Sequence, residues 1–571
     1  MDVIKRKPRT FLKDDFKVTT WENLKPFFEE LKNRKIASKE ELHKWFKDRS
    51  ELESVLEEDM AWRYIKMTGD TANKEYTDAF NFFIAEIQPH MAPYLNSLDE
   101  KALRSVFLKE LREPGYAVAV RNIEKEFKIF REKNIPLFTE MEQEAHKYGA
   151  ISGAMTVEID GKELTMQQAS DFLQSSDQEE REQAYIKMAE RRYKERNKLH
   201  DLYSKLIHIR NKVALNADFS NYRDYMFTAM GRFDYKPADC FSFHEAVAKE
   251  VVPLLNELAA ERKKQLKLDQ LKPWDLNVNY FGKKPLKPFE TSAELLDKTI
   301  QCFSKIDSYL GDCIATMKTM GHLDLESRKG KAPGGYNYPL DEIGVPFIFM
   351  NATSNLRDLV TMVHEGGHAF HSFLSKDLEL NTFKHPPSEV AELASMSMEL
   401  ISMEHWDIFF KDKKELARAK REHLEGIIQT LPWVATIDRF QHWVYENPTH
   451  SIEDRKKKWN EIYAMFSNNV TDWTGQEKYR NFLWQKQLHL YEVPFYYIEY
   501  GIAQLGAIAV WKNYKENPKK GFEQYVNALK LGYTKPIREI YQAAGIKFDF
   551  SGPYIHELID FVKKEMKATG L

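Results

Sequence analysis

Val363-His364-Glu365-Gly366-Gly367-His368-Ala369-Phe370 places two histidines four residues apart, with a glutamate beside the first. On an α-helix, residues at i and i+4 stack on one face, so both imidazoles can reach one divalent ion. This H-E-x-x-H order can place a zinc ion on His364 and His368, with Glu365 positioned to take a proton from metal-bound water. Two glycines, Gly366 and Gly367, sit in the middle of that helix. Together they cost about 2 kcal/mol relative to alanine, which predicts that another element packs closely against them.

A catalytic zinc site needs a third protein ligand and one open position. Downstream, Pro386-Pro387-Ser388 reads as a helix start with Ser388 as the cap. The sequence from Glu389 to Glu399 continues as helix, and Glu392 and Glu399 share a face bordered by Leu, Ala and Met. A carboxylate there needs a partner. Glu392 is therefore expected as the third metal ligand, and Glu399 as the acceptor for a ligand histidine's second ring nitrogen. His371 falls on the same side as His364 and His368 but one turn farther along, which predicts a place beside the site and off the metal. Asp358, near the helix start, fits either a supporting role behind the ligands or a plain helix-end role, because the helix N-terminus favours acid.

Pro346-Phe347-Ile348-Phe349-Met350-Asn351 is a short apolar run rich in strand formers. A strand there is expected beside the metal helix, offering a free edge to an extended peptide. The preceding Ala332-Pro333-Gly334-Gly335-Tyr336-Asn337-Tyr338 is a flexible loop with backbone N–H groups left free by Gly334 and Gly335; by itself it reads as a turn, and it could also cap a substrate. It lacks the spacing of a phosphate loop. Hydrolysis of an amide builds charge on the carbonyl oxygen, and donors aimed at it supply much of the rate. His489-Leu490-Tyr491-Glu492-Val493-Pro494-Phe495-Tyr496-Tyr497-Ile498-Glu499-Tyr500 concentrates such donors, with Tyr497 and Tyr500 on one helix face and Tyr496 pointing elsewhere.

These motifs together resemble the M3 family of zinc metallopeptidases, in particular its oligoendopeptidase F-like branch. The resemblance covers most of the chain from about residue 190 and more weakly the helical part before it. It implies one zinc ion per chain on His364, His368 and Glu392, with Glu365 activating water. It also implies that Tyr500, Tyr497 and His489 assist the tetrahedral intermediate, and that Tyr336 lies near substrate. The Pro494-Phe495 region stands where mammalian-type members place a further tyrosine, and the spacing to His489 is shifted. The expected fold is mainly α-helical, a two-lobed zincin-type metallopeptidase with a small β-sheet beside the HExxH helix and a deep channel for short unfolded peptides. The expected activity is endopeptidase cleavage. Carboxypeptidase or dipeptidyl-carboxypeptidase action at the same zinc is the alternative, and a catalytically silent peptide binder the more distant one.

With 571 residues the chain is long enough for more than one core. Its net charge of -3 gives no basic excess for a nucleic-acid partner. Phe11-Leu12-Lys13-Asp14-Asp15 falls where a signal peptide needs an apolar run, and the Gly501 to Trp511 run is too short to span a bilayer. Cys240, Cys302 and Cys313 lack metal-pair spacing and point to the reducing cytoplasm. The expected partners are short peptides, with the chain a monomer or homodimer and no membrane contact. Long charged amphipathic stretches over 40–64, 100–132 and 167–213 predict helices. Met155 to Ile159 alternates and is followed by Asp160-Gly161, which predicts a β-hairpin near 154–165. The expected division is an N-terminal helical region over 1–190 and a catalytic region over 191–571, with a proline-containing break over 267–291 in which Pro273-Trp274-Asp275 could be an ordered connector.

Overall fold

Proline and glycine punctuate a sequence that otherwise favours helix. The structure, a computed structural model describing residues 4–281, 284–332 and 334–571, largely follows that punctuation. The fold is mainly α-helical with one hairpin and one three-stranded sheet. The chain forms two compact units, each assembled from three separated segments. The first comprises Met1–Phe130, Leu286–Leu416 and Gly506–Phe548, and the second Arg131–Pro285, Ala417–Leu505 and Asp549–Leu571. Residue 190, the boundary expected from sequence, lies inside the unbroken helix Gln178–Asn216. No breaker interrupts that helix, and segments distant in sequence complete each core.

In the first unit, helices Trp21–Asn33, Lys39–Gly69, Gln88–Arg104 and Tyr116–Ile129 surround a core that includes Phe28, Leu42 and Trp45 and recruits Leu380 and Phe383 from much later in the chain. The continuous helix expected over 100–132 is broken. Gly115 adopts φ 94°, a left-handed value, and a Cβ there would lie 2.7 Å from the Phe383 ring. The positive φ and the close ring approach together require glycine and reset the chain direction.

The same unit holds the three-stranded sheet, in which Phe347–Ala352 is central. It pairs parallel to Leu323–Glu326 and antiparallel to Tyr336–Tyr338. The strand expected from the apolar run is thus present beside the metal helix, Leu356–Ser375, but both its edges are occupied. Its residues Phe347 to Met350 are all buried, the signature of a central strand, so it has no free edge for a peptide. The outer edge belongs to Tyr336–Tyr338.

In the second unit, Thr156–Ile159 and Lys162–Thr165 form the expected hairpin, with Ile159 opposite Lys162. Asp160 and Gly161 both take positive φ, 52° and 73°, as a two-residue primed turn requires. The connector is ordered around Pro273–Asp275, where buried Asp275 receives Arg181 at 2.6 Å; its residues 282–283 lie outside the described residues. Among the described residues, no helix is long and apolar enough to cross a membrane.

Candidate active site

The metal helix begins with a reciprocal cap. Asn355 accepts from the Asp358 backbone N–H at 3.0 Å, and Asp358 Oδ2 accepts from the backbone N–H groups of Asn355 and Thr353 at 3.2 and 2.6 Å. Asp358 therefore closes the helix end and does not support a ligand histidine. The local arithmetic explains this, because an acid at the third helical position is best placed to cap.

Helix Ser388–Met403 crosses the metal helix at Gly367. A Cβ on Gly367 would stand 2.7 Å from Ser395 Cα and 2.9 Å from Ala394 O. On Gly366 it would meet the Phe303 ring at 2.6 Å. The two glycines thus have the packing role expected of them. Ser388 is the first helical residue and not its cap; Pro387, with extended backbone, occupies the cap position.

This close crossing brings Glu392 Oε2 to 3.4 Å from His364 Nε2 and 3.9 Å from His368 Nε2. Four ligands around zinc at about 2.1 Å stand about 3.4 Å from one another, so the two nitrogens and one oxygen fit the ion that the sequence motif implies. Glu399 Oε1 lies 2.6 Å from His364 Nδ1, which leaves Nε2 of that ring to face Glu392. The expected pairing of Glu399 with the second ring nitrogen of His364 is the contact found.

Burial and charge set the protonation of the metal-free site. Burial opposes charge on His364, but the hydrogen bond to Glu399 and the charges of Glu399 and Glu392 outweigh it, pushing the imidazole up to about 10. Burial pushes the Glu365 carboxyl up to about 7, against the pull of His364 and a hydrogen bond from the Asn337 backbone N–H. His368 stays neutral, its pKa driven well down by burial and by the His364 charge. His371 is lowered to about 4 by burial, with a hydrogen bond to the Leu529 backbone, and it lies near enough for its charge to bear on His368.

Asn337, quoted in sequence only as part of a loop, thus reaches Glu365 from the edge strand. Tyr336 beside it is committed to the core. Its ring stacks on Phe349 at 4.7 Å and its hydroxyl pairs with Thr68 Oγ1 at 2.7 Å. Gly334 has φ 103°, and its carbonyl accepts from Asn351 at 2.9 Å; Gly335 sits where a Cβ would press on Phe349 O at 3.3 Å.

Among the described residues, two other groups could gather around a cation. Cys240, Asp438 and His442 are fully enclosed, and Asp438 is already shared by His244 at 2.8 Å and His442 at 3.3 Å. Glu57, Asp341 and His385 form an ion cluster in which His385 takes both carboxylates at 3.2 and 2.9 Å. Neither has a buried base beside it in an H-E-x-x-H helix.

The second unit holds the candidate donors. Helix Leu488–Glu492 ends, the chain turns through Phe495 at φ 67°, and a new helix starts at Tyr497. A left-handed Phe is strained, and it is held at both ends. Gln441 accepts from its N–H at 2.7 Å and Arg232 donates to its carbonyl. The turn gathers His489, Tyr497 and Tyr500, with ring centroids 4.9 to 5.9 Å apart. It also brings in Tyr496, 5.2 Å from Tyr500, contrary to the expectation drawn from one continuous helix.

Gln487 was not expected. It accepts from Trp433 Nε1 at 2.9 Å and donates to His489 Nδ1 at 2.7 Å. Burial lowers His489 to about 4, so it is neutral near pH 7. Burial pushes Tyr497 up to about 12, opposed by hydrogen bonds from Trp433 and Gln487. Gln487 follows no periodic pattern; only its place two residues before His489 hinted at it.

A histidine pair on one helix, a carboxylate from the helix crossing it and a buried glutamate beside the first histidine are the groups that a metallopeptidase centre uses. The model of peptidase family M3 matches residues 172–559, and that of the M3 N-terminal domain matches residues 11–130. The chain belongs to peptidase family M3, in its oligoendopeptidase F-like branch. It is 24% identical over 518 residues to an oligoendopeptidase F homolog of Borreliella burgdorferi, covering 87% of this chain and 85% of that protein. Oligopeptidase PepF of Bacillus subtilis is 22% identical over 85% of this chain and 72% of its own length. The structure of Pz peptidase A with an inhibitor superposes with a TM-score of 0.90 at 26% identity, covering 97% of this chain and 99% of that one.

Proposed function

We propose that this protein is a zinc-dependent oligoendopeptidase that hydrolyses internal bonds of short unfolded peptides. The observation that carries this reading is the convergence of His364, His368 and Glu392 around one point, with Glu365 on the same helix. These three residues would hold one zinc ion per chain. When bound, the ion polarises the scissile carbonyl and acidifies water. Glu365 accepts the water proton and returns it to the departing amine. Glu399 keeps His364 in the tautomer that presents Nε2.

Gln487 can only donate through its nitrogen, so His489 Nδ1 accepts and Nε2 carries the proton. That makes neutral His489 a hydrogen-bond donor, and we assign it with Tyr500 and Tyr497 to the developing oxyanion. Gly334 and Gly335 offer backbone to the substrate, whereas the Tyr336 side chain serves the fold. The deep channel expected from the family remains part of the proposal, and its consequence is that folded proteins are spared. Three free, buried cysteines support a reducing compartment, the cytoplasm.

The test is mass spectrometry of a peptide of about ten residues, blocked at both ends and incubated with zinc-loaded protein. Internal cuts are expected. Cleavage confined to peptides with a free C-terminus would replace this reading with a carboxypeptidase.

A further inference from the structure

Arg192 and Lys486 are cations in a place that offers them no carboxylate. Both line a cavity of about 530 Å³ within the second unit. Among the described residues, neither forms an ion pair. Lys486 Nζ lies 4.8 Å over the Trp433 ring, and Arg192 is bordered by Tyr148 and Tyr185. The remaining wall is largely aromatic and aliphatic, with Leu173 and Tyr463 among its residues.

Both side chains are exposed to solvent at the cavity wall, so an anion entering the cavity can reach them. Desolvation beside the aromatic wall lowers Lys486 to about 8, and the charge of Arg192 adds to the effect. Desolvation by the same wall lowers Arg192, opposed by Tyr148 and Tyr185. Two like charges beside a cavity whose lining supplies no carboxylate are stabilised by an anion that joins them. The volume is that of a site for a small ligand or a few side chains. Trp433 links it to the candidate donors, because its indole N–H holds the same Gln487 that holds His489.

We infer that this cavity is a substrate subsite for a peptide carboxylate, with Arg192 and Lys486 as charge partners and the aromatic wall receiving the adjoining apolar groups. The carboxylate is either the peptide's C-terminus or an Asp or Glu side chain. This rests on the oligopeptidase reading and extends it to the class of peptide preferred.

The experiment uses full-length E365Q, which binds without cutting, and isothermal titration with peptides of one apolar sequence. One pair differs as C-terminal acid against amide, and the other as an internal Glu against Gln. At least one carboxylate form is expected to bind about tenfold more tightly than its neutral partner, and the responding pair identifies the source. In the E365Q background that preference should vanish in R192Q/K486Q and persist in the charge-conserving R192K/K486R. No preference in E365Q, a preference unchanged in R192Q/K486Q, or one lost equally in both double variants overturns the proposal. Binding is read without turnover. A failure of the unsubstituted protein to cleave any peptide would therefore count against the peptidase reading and not against the subsite.

Discussion

Gln487 donates to His489 Nδ1 across 2.7 Å, and so decides which nitrogen of that ring carries a proton. The direction of the bond is fixed from behind, because Trp433 can only donate and so claims the Gln487 oxygen. Replacing Gln487 with Glu reverses the polarity, since the carboxylate accepts and draws the proton to Nδ1. Loss of an oxyanion donor predicts a fall in kcat of about 100-fold with little change in KM. Steady-state kinetics checks the size, and nitrogen NMR of His489 checks the tautomer; unchanged kcat with a switched tautomer would remove His489 from the reaction.

Glu365→Gln should retain zinc while kcat falls about 10³-fold or more, within the range of general-base losses. His364→Ala should lose both metal and turnover. Elemental analysis beside kinetics separates the two, and a Glu365→Gln protein with normal turnover would end the assignment of Glu365 as base.

Glu399→Ala leaves the ligand set intact and removes only the group behind His364. Zinc affinity should drop about 10- to 100-fold, measured by competition with a chromophoric chelator.

Gly367→Ala should be destabilising although alanine favours helix. The new methyl meets backbone atoms of the crossing helix at 2.7 and 2.9 Å, which cannot yield as a side-chain end could. A net loss of about 1–3 kcal/mol is expected, with a lower Tm and weaker zinc binding, because the same crossing positions Glu392. A raised Tm with unchanged zinc affinity would contradict the close-packing argument.

Protons and zinc compete for His364. In the metal-free protein its carboxylate neighbours hold it charged up to about 10, above the ordinary value of 6.5. Zinc binding should therefore release protons between pH 7 and 10, and affinity should climb with pH across that window. The same shift stabilises the metal-free fold below pH 6.5, and that contribution is lost as pH rises towards 10. Titration calorimetry in buffers of different ionisation enthalpy measures the first effect, and Tm of chelated protein against pH the second.

Much of the metal centre was legible because its geometry is local. His364, Glu365 and His368 are related by helix periodicity alone, and Gly366 and Gly367 announced a close neighbour through their helix cost. Glu392 and Glu399 were readable because a carboxylate on an apolar face needs a partner. The Asp160-Gly161 hairpin was equally local, since only a few residues accept two positive φ values in succession.

Sequence by itself therefore determined the candidate donors, their spacing and the helical character of the chain. Tertiary structure decided everything that depends on which distant segment arrives. It covered both edges of Phe347–Ala352, started a new helix after Gly115 with Phe383 seated against that glycine, and brought Tyr496 beside Tyr500 after the left-handed Phe495. It also set the pairs Gln487–His489 and Asn337–Glu365 and the unpartnered Arg192 and Lys486. Periodicity specifies which face a residue occupies, but a hydrogen bond or a shared cavity requires the three-dimensional approach of groups whose separation along the chain carries no information.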